Sequence, residues 1–170
     1  PTKVNDLTYF EHFFEKDGFG TTFDLESMFH QLRLTDRTAE LFGCAVEEED
    51  GTLTYYKFGV LMFGNKDAVR VMTRMMKPAM DLFRDMSIKS GCFIDDGLIV
   101  NKDPEVLTIE TKFVLETLQL AGWQINTEKT RPIPSQNPIY QGFILDFVAM
   151  EYRLPVWKCE AAIAAIDKLL

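Results

Sequence analysis

Hydrophobic and polar positions alternate along this chain in two rhythms, and the changes of rhythm predict its elements. A helix is predicted over roughly 5–16. Residues 20–25 read as a strand, followed by a short helical turn through Phe29 and His30. Residues 42–46 and 52–58 are strand-like and flank Glu47-Glu48-Glu49-Asp50-Gly51, which predicts a hairpin with a solvated tip. Val69, Met72, Met76 and Met80 recur at helical spacing within a long helix over about 65–86, with Pro78 as a point for a kink. Flexible thioethers at such positions read as core filler. Two short apolar strands follow, 91–94 and 98–100. Asp95-Asp96-Gly97 joins them, and Asp-Gly is a strong turn signal. A helix over about 104–121 ends at Gly122. The proline-rich run 131–138 reads as a rigid loop before strands over 139–145 and 149–154, and a last helix covers 156–170.

With the 42–58 hairpin set aside as an insertion, the order is that of a split βαβ unit. The expected fold class is α+β, a ferredoxin-like antiparallel sheet with helices on one face. That topology places the strand carrying Asp24 beside the hairpin carrying Asp95 and Asp96.

Composition narrows the class. The 170 residues are 46% hydrophobic and 26% charged, the balance of one globular domain. Basic residues number 18 and acidic residues 26, a net charge of −8. This argues against a broadly basic DNA-binding surface but leaves room for a local nucleic-acid cleft. Cys44, Cys92 and Cys159 form no Cys-x-x-Cys pair, and His12 and His30 are the only histidines, so a disulfide framework and a structural zinc site are not expected. A reducing, intracellular setting, cytoplasm or nucleus, fits this cysteine usage. No run of 18 apolar residues predicts a membrane span. The chain starts at Pro1 without an initiator Met, which suggests a piece of a longer protein.

Adjacent aspartates at the tip of an apolar hairpin are a poor choice for structure alone, because crowded carboxylates repel and raise each other's pKa. A divalent cation removes the conflict, and magnesium prefers such oxygen donors. With Asp24 on the neighbouring strand, three carboxylates meet at one sheet edge. Such a set can hold two metal ions for in-line nucleotidyl transfer. A plain hairpin turn is the competing reading of Asp-Asp-Gly taken alone.

The surrounding residues carry a family resemblance. Phe93-Ile94-Asp95-Asp96 resembles the Tyr/Phe-x-Asp-Asp motif of reverse transcriptases. Phe23-Asp24-Leu25-Glu26-Ser27-Met28-Phe29-His30-Gln31 is similar to their Asp-Leu-x-Ser-x-Tyr-His-Gln segment. Phe58-Gly59-Val60-Leu61-Met62-Phe63-Gly64-Asn65 resembles Phe-x-x-Leu-Pro-Phe-Gly-Leu. Gly122-Trp123-Gln124-Ile125-Asn126-Thr127-Glu128-Lys129-Thr130 resembles Gly-aromatic-x-Ile/Leu-Asn-x-x-Lys-Ser, and Tyr140-Gln141-Gly142-Phe143-Ile144 a later Phe-Leu-Gly element. The five motifs stand in family order over nearly the whole chain, with a flavour of gypsy-like and tyrosine-recombinase retrotransposons. Departures include Met62 in place of Pro, and Asn65 and Gln141 in place of Leu.

The resemblance implies the palm of an RNA-directed DNA polymerase that extends a DNA primer on an RNA template with dNTPs and two Mg²⁺ or Mn²⁺ ions. By similarity, Asp24 and Asp95 are direct metal ligands and Asp96 supports them, with the Leu25 carbonyl as a further oxygen. Phe29 falls at the steric-gate position that excludes a ribose 2′-hydroxyl. Gln31, Gly64 and Asn65 fall near template or incoming nucleotide, and Lys129 matches the lysine that assists pyrophosphate departure. The palm would span 1–155, with fingers largely missing on its N-terminal side, and the helix 156–170 would lead toward an absent thumb. Fingers, thumb and an RNase H domain of the same polyprotein are the implied partners. The competing reading is a catalytically silent, co-opted palm acting as an interaction module, and a palm-type polymerase making RNA is a third.

Overall fold

A computed structural model of the chain describes residues 7–169. In chain order the elements are α1 (Leu7–Phe10), a 3₁₀ turn (Glu11–Phe13), β1 (Phe19–Asp24), a second 3₁₀ turn (Met28–Gln31), α2 (Asp36–Ala39), β2 (Gly43–Glu47) and β3 (Leu53–Lys57). Then follow α3 (Ala68–Asp85), β4 (Ser90–Phe93), β5 (Asp96–Asn101), α4 (Pro104–Leu120) and β6 (Arg131–Ser135). The chain closes with β7 (Ile139–Tyr140), β8 (Phe143–Asp146), β9 (Glu151–Arg153) and α5 (Val156–Asp167).

The central sheet has the order β4-β5-β1-β6. Without the inserted β2–β3 hairpin, the sequence is β1-α3-β4-β5-α4-β6, and this order is the ferredoxin-like arrangement expected from the sequence. Strand alternation splits the sheet into two faces. Phe23 and Ile99 face α3 and α4 and join Met72, Met76, Phe83, Leu107, Val114 and Leu118 in the larger core. Leu98 and Val100 face the other way, onto Phe10, Tyr140, Leu145 and Phe147. Across the first face, the buried hydroxyls of Thr21 and Thr111 bond at 2.7 Å and tie β1 to α4.

Local chemistry explains the helix positions. Asp103 Oδ1 accepts from the N–H groups of Glu105 and Val106 (2.8 and 3.2 Å), and Pro104 opens α4. Leu107, Thr111, Val114 and Leu118 then form its buried stripe. In α3 the methionines Met72 and Met76 are buried core residues, as their spacing predicts, and the helix runs through Pro78.

Several sequence expectations need correction. The first helix is short: it gives way to a 3₁₀ turn ending at Phe13, and residues 5 and 6 lie outside the described residues. The long helix starts at Ala68, because Asn65 is taken up in a turn where its Oδ1 accepts from the Asp67 N–H (2.9 Å). The proline-rich run is β6, paired with β1, not a loop. It can be a strand because it lies at the sheet edge, where Pro132 and Pro134 need not donate to a second neighbour. The expected strand over 139–145 is two strands, β7 and β8, folded about Gln141 and Gly142, both with positive φ (48° and 78°). The most consequential correction concerns Asp95-Asp96-Gly97. The turn residues are Ile94 and Asp95, since Phe93 pairs with Asp96 and Cys92 with Gly97.

Gly97 therefore has a packing role. It lies opposite Phe23 in the β1–β5 ladder. A Cβ built on it would sit 2.1–2.4 Å from the Phe23 ring. The glycine exists to let the ring cross the strand, not to make a turn.

Candidate active site

The register of β1 on β5 sets Asp24 directly opposite Asp96. Like charges facing one another across a strand pair are destabilising. Asp95 occupies the turn above them, and its carbonyl accepts from the Leu25 N–H at 3.0 Å. The three predicted carboxylates thus come from two sequence-distant segments and gather at one end of the sheet.

Electrostatics records the crowding. Burial raises the Asp24 carboxyl above its ordinary value; Lys129 opposes the rise and Asp95 adds to it. Asp96 is also raised, by burial first and then by repulsion from Asp95 and Asp24. Beneath the turn, burial pushes the Cys92 thiol well up, and the same three carboxylates push it further. The thiol thus keeps its proton and donates to the Ile94 carbonyl (3.1 Å).

Ile94 has φ of 59°, a left-handed conformation that a β-branched residue adopts only under constraint. The Cys92 bond, the Asp95–Leu25 bond and the packing of Ile94 against the main core hold it there. On the other side, Tyr140 Oη donates to the Asp96 carbonyl at 3.4 Å. The acidic hairpin is thus held in place by its neighbours.

Asp24 is held as firmly. Its N–H donates to Thr130 Oγ1 (3.2 Å), and its carbonyl accepts from the Asn126 N–H (2.8 Å). Lys129 Nζ lies 3.5 Å from Asp24 Oδ1. Lys129 therefore lies beside the carboxylates; the resemblance implied a role toward pyrophosphate, and its pairing with Asp24 was not foreseen. The backbone clamps by Asn126 and Thr130 were not foreseen, although both residues stand in the quoted Lys129 segment.

The expected substrate residues divide. Phe29, Gly64, Asn65 and Asp95 line one cavity of about 330 Å³, together with Phe63, Ala68, Val69 and Ile94. Phe29 is nearly buried and meets Phe63 edge-on at 4.9 Å, so it is both a core aromatic and a wall of this cavity. Gly64 has φ of 83° with open space where a Cβ would stand, so backbone conformation is the constraint there. Gln31 is not among the lining residues. Its amide donates to the Glu26 and Gln124 carbonyls (3.2 Å for the second), and its Oε1 accepts from the Gln124 N–H at 2.9 Å. These bonds occupy the amide that was expected to meet substrate, and they join the Asp24 segment to the Trp123 segment. Leu25 is buried and bridges Ile125, and Trp123 is packed into the core.

The donor set can be tested against a divalent cation. All three groups are hard carboxylate oxygens, and two have their ionised forms disfavoured by burial and mutual repulsion, which a cation would relieve. As placed, no group of three or more His, Cys, Asp or Glu among the described residues could hold a metal ion. Magnesium usually takes one or two carboxylates and completes its shell with water and phosphate oxygens, so it is the chemistry of these donors, not their present placement, that fits it.

A ferredoxin-like sheet with paired aspartates on adjacent strands and a third in the β4–β5 turn defines a palm-type domain. The family described as "Reverse transcriptase (RNA-dependent DNA polymerase)" matches residues 12–145, and the chain belongs to it. A Drosophila melanogaster protein, "Retrovirus-related Pol polyprotein from transposon opus", is 30% identical over 118 residues. That match covers 68% of this chain and 11% of the polyprotein, so the chain spans about a tenth of this relative. Among solved structures, apo telomerase from Candida tropicalis, truncated from its C-terminal domain, aligns with a TM-score of 0.62 at 12% identity. The alignment covers 81% of this chain and 35% of that one, and it supports the palm-like fold. Among the described residues no helix is long and apolar enough to cross a membrane.

Proposed function

We propose that this chain is the palm of an RNA-directed DNA polymerase from a retrotransposon polyprotein, extending a DNA primer on an RNA template. The observation that carries this reading is the joining of two sites. The carboxylate cluster at Asp24, Asp95 and Asp96 shares Asp95 with the cavity lined by Phe29, Gly64 and Asn65. A nucleotide seated in that cavity would present its phosphates to the carboxylates.

Asp24 and Asp95 would hold the metal ions, with Asp96 supporting them and the Leu25 carbonyl as a further oxygen. Two Mg²⁺ or Mn²⁺ ions bound there supply activation of the 3′-hydroxyl and charge neutralisation of the triphosphate. The remaining work belongs to the chain itself. Clamps on Asp24 and on the 94–95 turn hold the carboxylates in place before substrate arrives, so little reorganisation is left for the reaction. Phe29 walls the sugar side of the cavity and excludes a 2′-hydroxyl. Gly64 and Asn65 line the same cavity. Gln31 positions the Asp24 segment through the backbone. Lys129, mostly in water beside the carboxylates, meets the departing pyrophosphate as a cation or proton donor.

The palm spans 1–155, and α5 leads toward a thumb. Fingers, thumb and RNase H segments belong to the rest of the polyprotein, in an intracellular setting. Their basic groups supply the phosphate contacts on which nucleic-acid affinity largely depends, since this segment carries a net charge of −8. The test is primer extension on an RNA template by the complete polyprotein enzyme. Asp95→Asn, which keeps the shape and removes the charge, is expected to abolish extension in Mg²⁺ and in Mn²⁺. Undiminished extension by Asp95→Asn would overturn the site assignment. No extension by the wild-type enzyme would favour the interaction-module alternative.

A further inference from the structure

The loop between α4 and β6 surrounds Asp24 on three sides. It donates to the aspartate's carbonyl from Asn126, accepts from its N–H at Thr130, and sets Lys129 Nζ 3.5 Å from its carboxylate. The loop is itself tied down. Asn126 Oδ1 accepts from the N–H groups of Glu128 and Lys129, both at 3.1 Å, and the Thr130 N–H donates to the Asn126 carbonyl at 3.0 Å. The backbone of Lys129 therefore stands at a set place beside Asp24, and its long stem is the part that can move.

The two partners differ sharply in environment. The Asp24 side chain is 9% exposed and the Lys129 side chain 66%. A carboxylate buried opposite Asp96 and below Asp95 is crowded by like charge, and a positive neighbour offsets that repulsion. A lysine ammonium is a compact, strongly hydrated charge on a flexible stem, and it returns to water easily. The ammonium thus stands where a divalent cation would approach Asp24, and it is the member of the pair free to leave.

We propose that Lys129 is a resident counter-ion of Asp24: it holds the carboxylate in place while no divalent cation is bound, and competes with that cation for the same oxygen. This rests on reading Asp24 as a metal-binding carboxylate. The expected consequence runs against the usual effect of losing an active-site contact, because removing Lys129 strengthens metal binding.

The experiment is a Mn²⁺ titration of the 170-residue chain at low ionic strength without nucleotide, followed by the loss of the free-ion paramagnetic resonance signal. Lys129→Met, and Lys129→Gln as a second neutral variant, are expected to bind Mn²⁺ about two- to fivefold tighter than wild type, the range for a partly screened ion pair. Lys129→Arg, which keeps the charge, is expected to stay near wild type. Added monovalent salt should narrow the gap between the charged and neutral variants. Asp24→Asn is expected to remove the tight site whichever residue stands at 129. Unchanged or weaker binding in both neutral variants, with Asp24→Asn still abolishing it, would overturn the counter-ion role and leave the metal site standing. Binding that Asp24→Asn does not touch, or no binding at all, would overturn the metal-site reading and the counter-ion role with it.

Discussion

Gly97→Ala adds one methyl group and should be among the most damaging small substitutions in this chain. The new Cβ would lie 2.1 Å from Phe23 Cζ and 2.2 and 2.4 Å from the two ring Cε atoms. Ordinary contact begins at about 3.4 Å, so ring and strand must separate by more than 1 Å. The ring cannot simply swing aside, because Phe23 is 2% exposed and sits in the main core. Overpacking of this kind costs about 1–3 kcal/mol. The strand that moves carries Asp96 one residue earlier, and Phe23 is followed by Asp24, so the strain falls on the spacing of the carboxylates. A displacement near 1 Å in a reacting constellation costs about 100-fold in rate. Urea denaturation of the chain measures the first effect and primer extension by the complete enzyme the second. Phe23→Leu alone should cost about 1 kcal/mol, yet combined with Gly97→Ala it should relieve part of the clash. The double variant is then less destabilised than the sum of the singles by about 1 kcal/mol. Additive effects in that cycle, or a Gly97→Ala chain as stable as wild type, would refute the close-approach role of the glycine.

Two further outcomes are expected. In the folded chain Asp96 holds its proton more tightly than in the unfolded chain. Its ionised form therefore costs stability at pH 7, and the cost fades as the pH falls toward the ordinary carboxyl value of 3.8. Without divalent cations, Asp96→Asn should raise stability at pH 7 by a few tenths to about 1 kcal/mol, with a smaller gain near pH 4. Urea titrations at the two pH values check this, and an equal loss of stability at both would contradict it. For the proposed gate, Phe29→Val trims the cavity wall while keeping a branched apolar side chain. Discrimination between deoxy- and ribonucleotides should fall about tenfold or more in the complete enzyme. An unchanged ratio would reduce Phe29 to a core aromatic.

Much of the fold was legible because its signals are local. The methionine spacing of α3, the Gly122 stop after α4 and the acidic tip of the β2–β3 hairpin each follow from a few neighbouring residues. The order of strands and helices then left the ferredoxin-like arrangement as the natural solution, with Asp24 beside the acidic hairpin. What misled the sequence reading was a local signal with a second meaning. Asp-Gly is a turn signal in isolation, but Gly97 lies inside β5 because Phe23, more than 70 residues away, crosses it there. The prolines of 131–135 signal a loop, but an edge position with one paired side accommodates them as a strand.

The candidate site divides the same way. Residue types and spacing along the chain determined the acidic groups, the aromatic at 29 and the lysine at 129, since these lie in contiguous runs that a reader of the sequence can compare with a family. Tertiary structure decided what each group meets. It set Asp24 opposite Asp96, put Ile94 rather than a glycine in the strained turn, engaged the Gln31 amide with backbone and paired Lys129 with Asp24. The physical reason is range. Propensity, capping and periodicity act over a few residues, whereas the field at a carboxylate and the partner of a side chain depend on segments brought together only by the folded core.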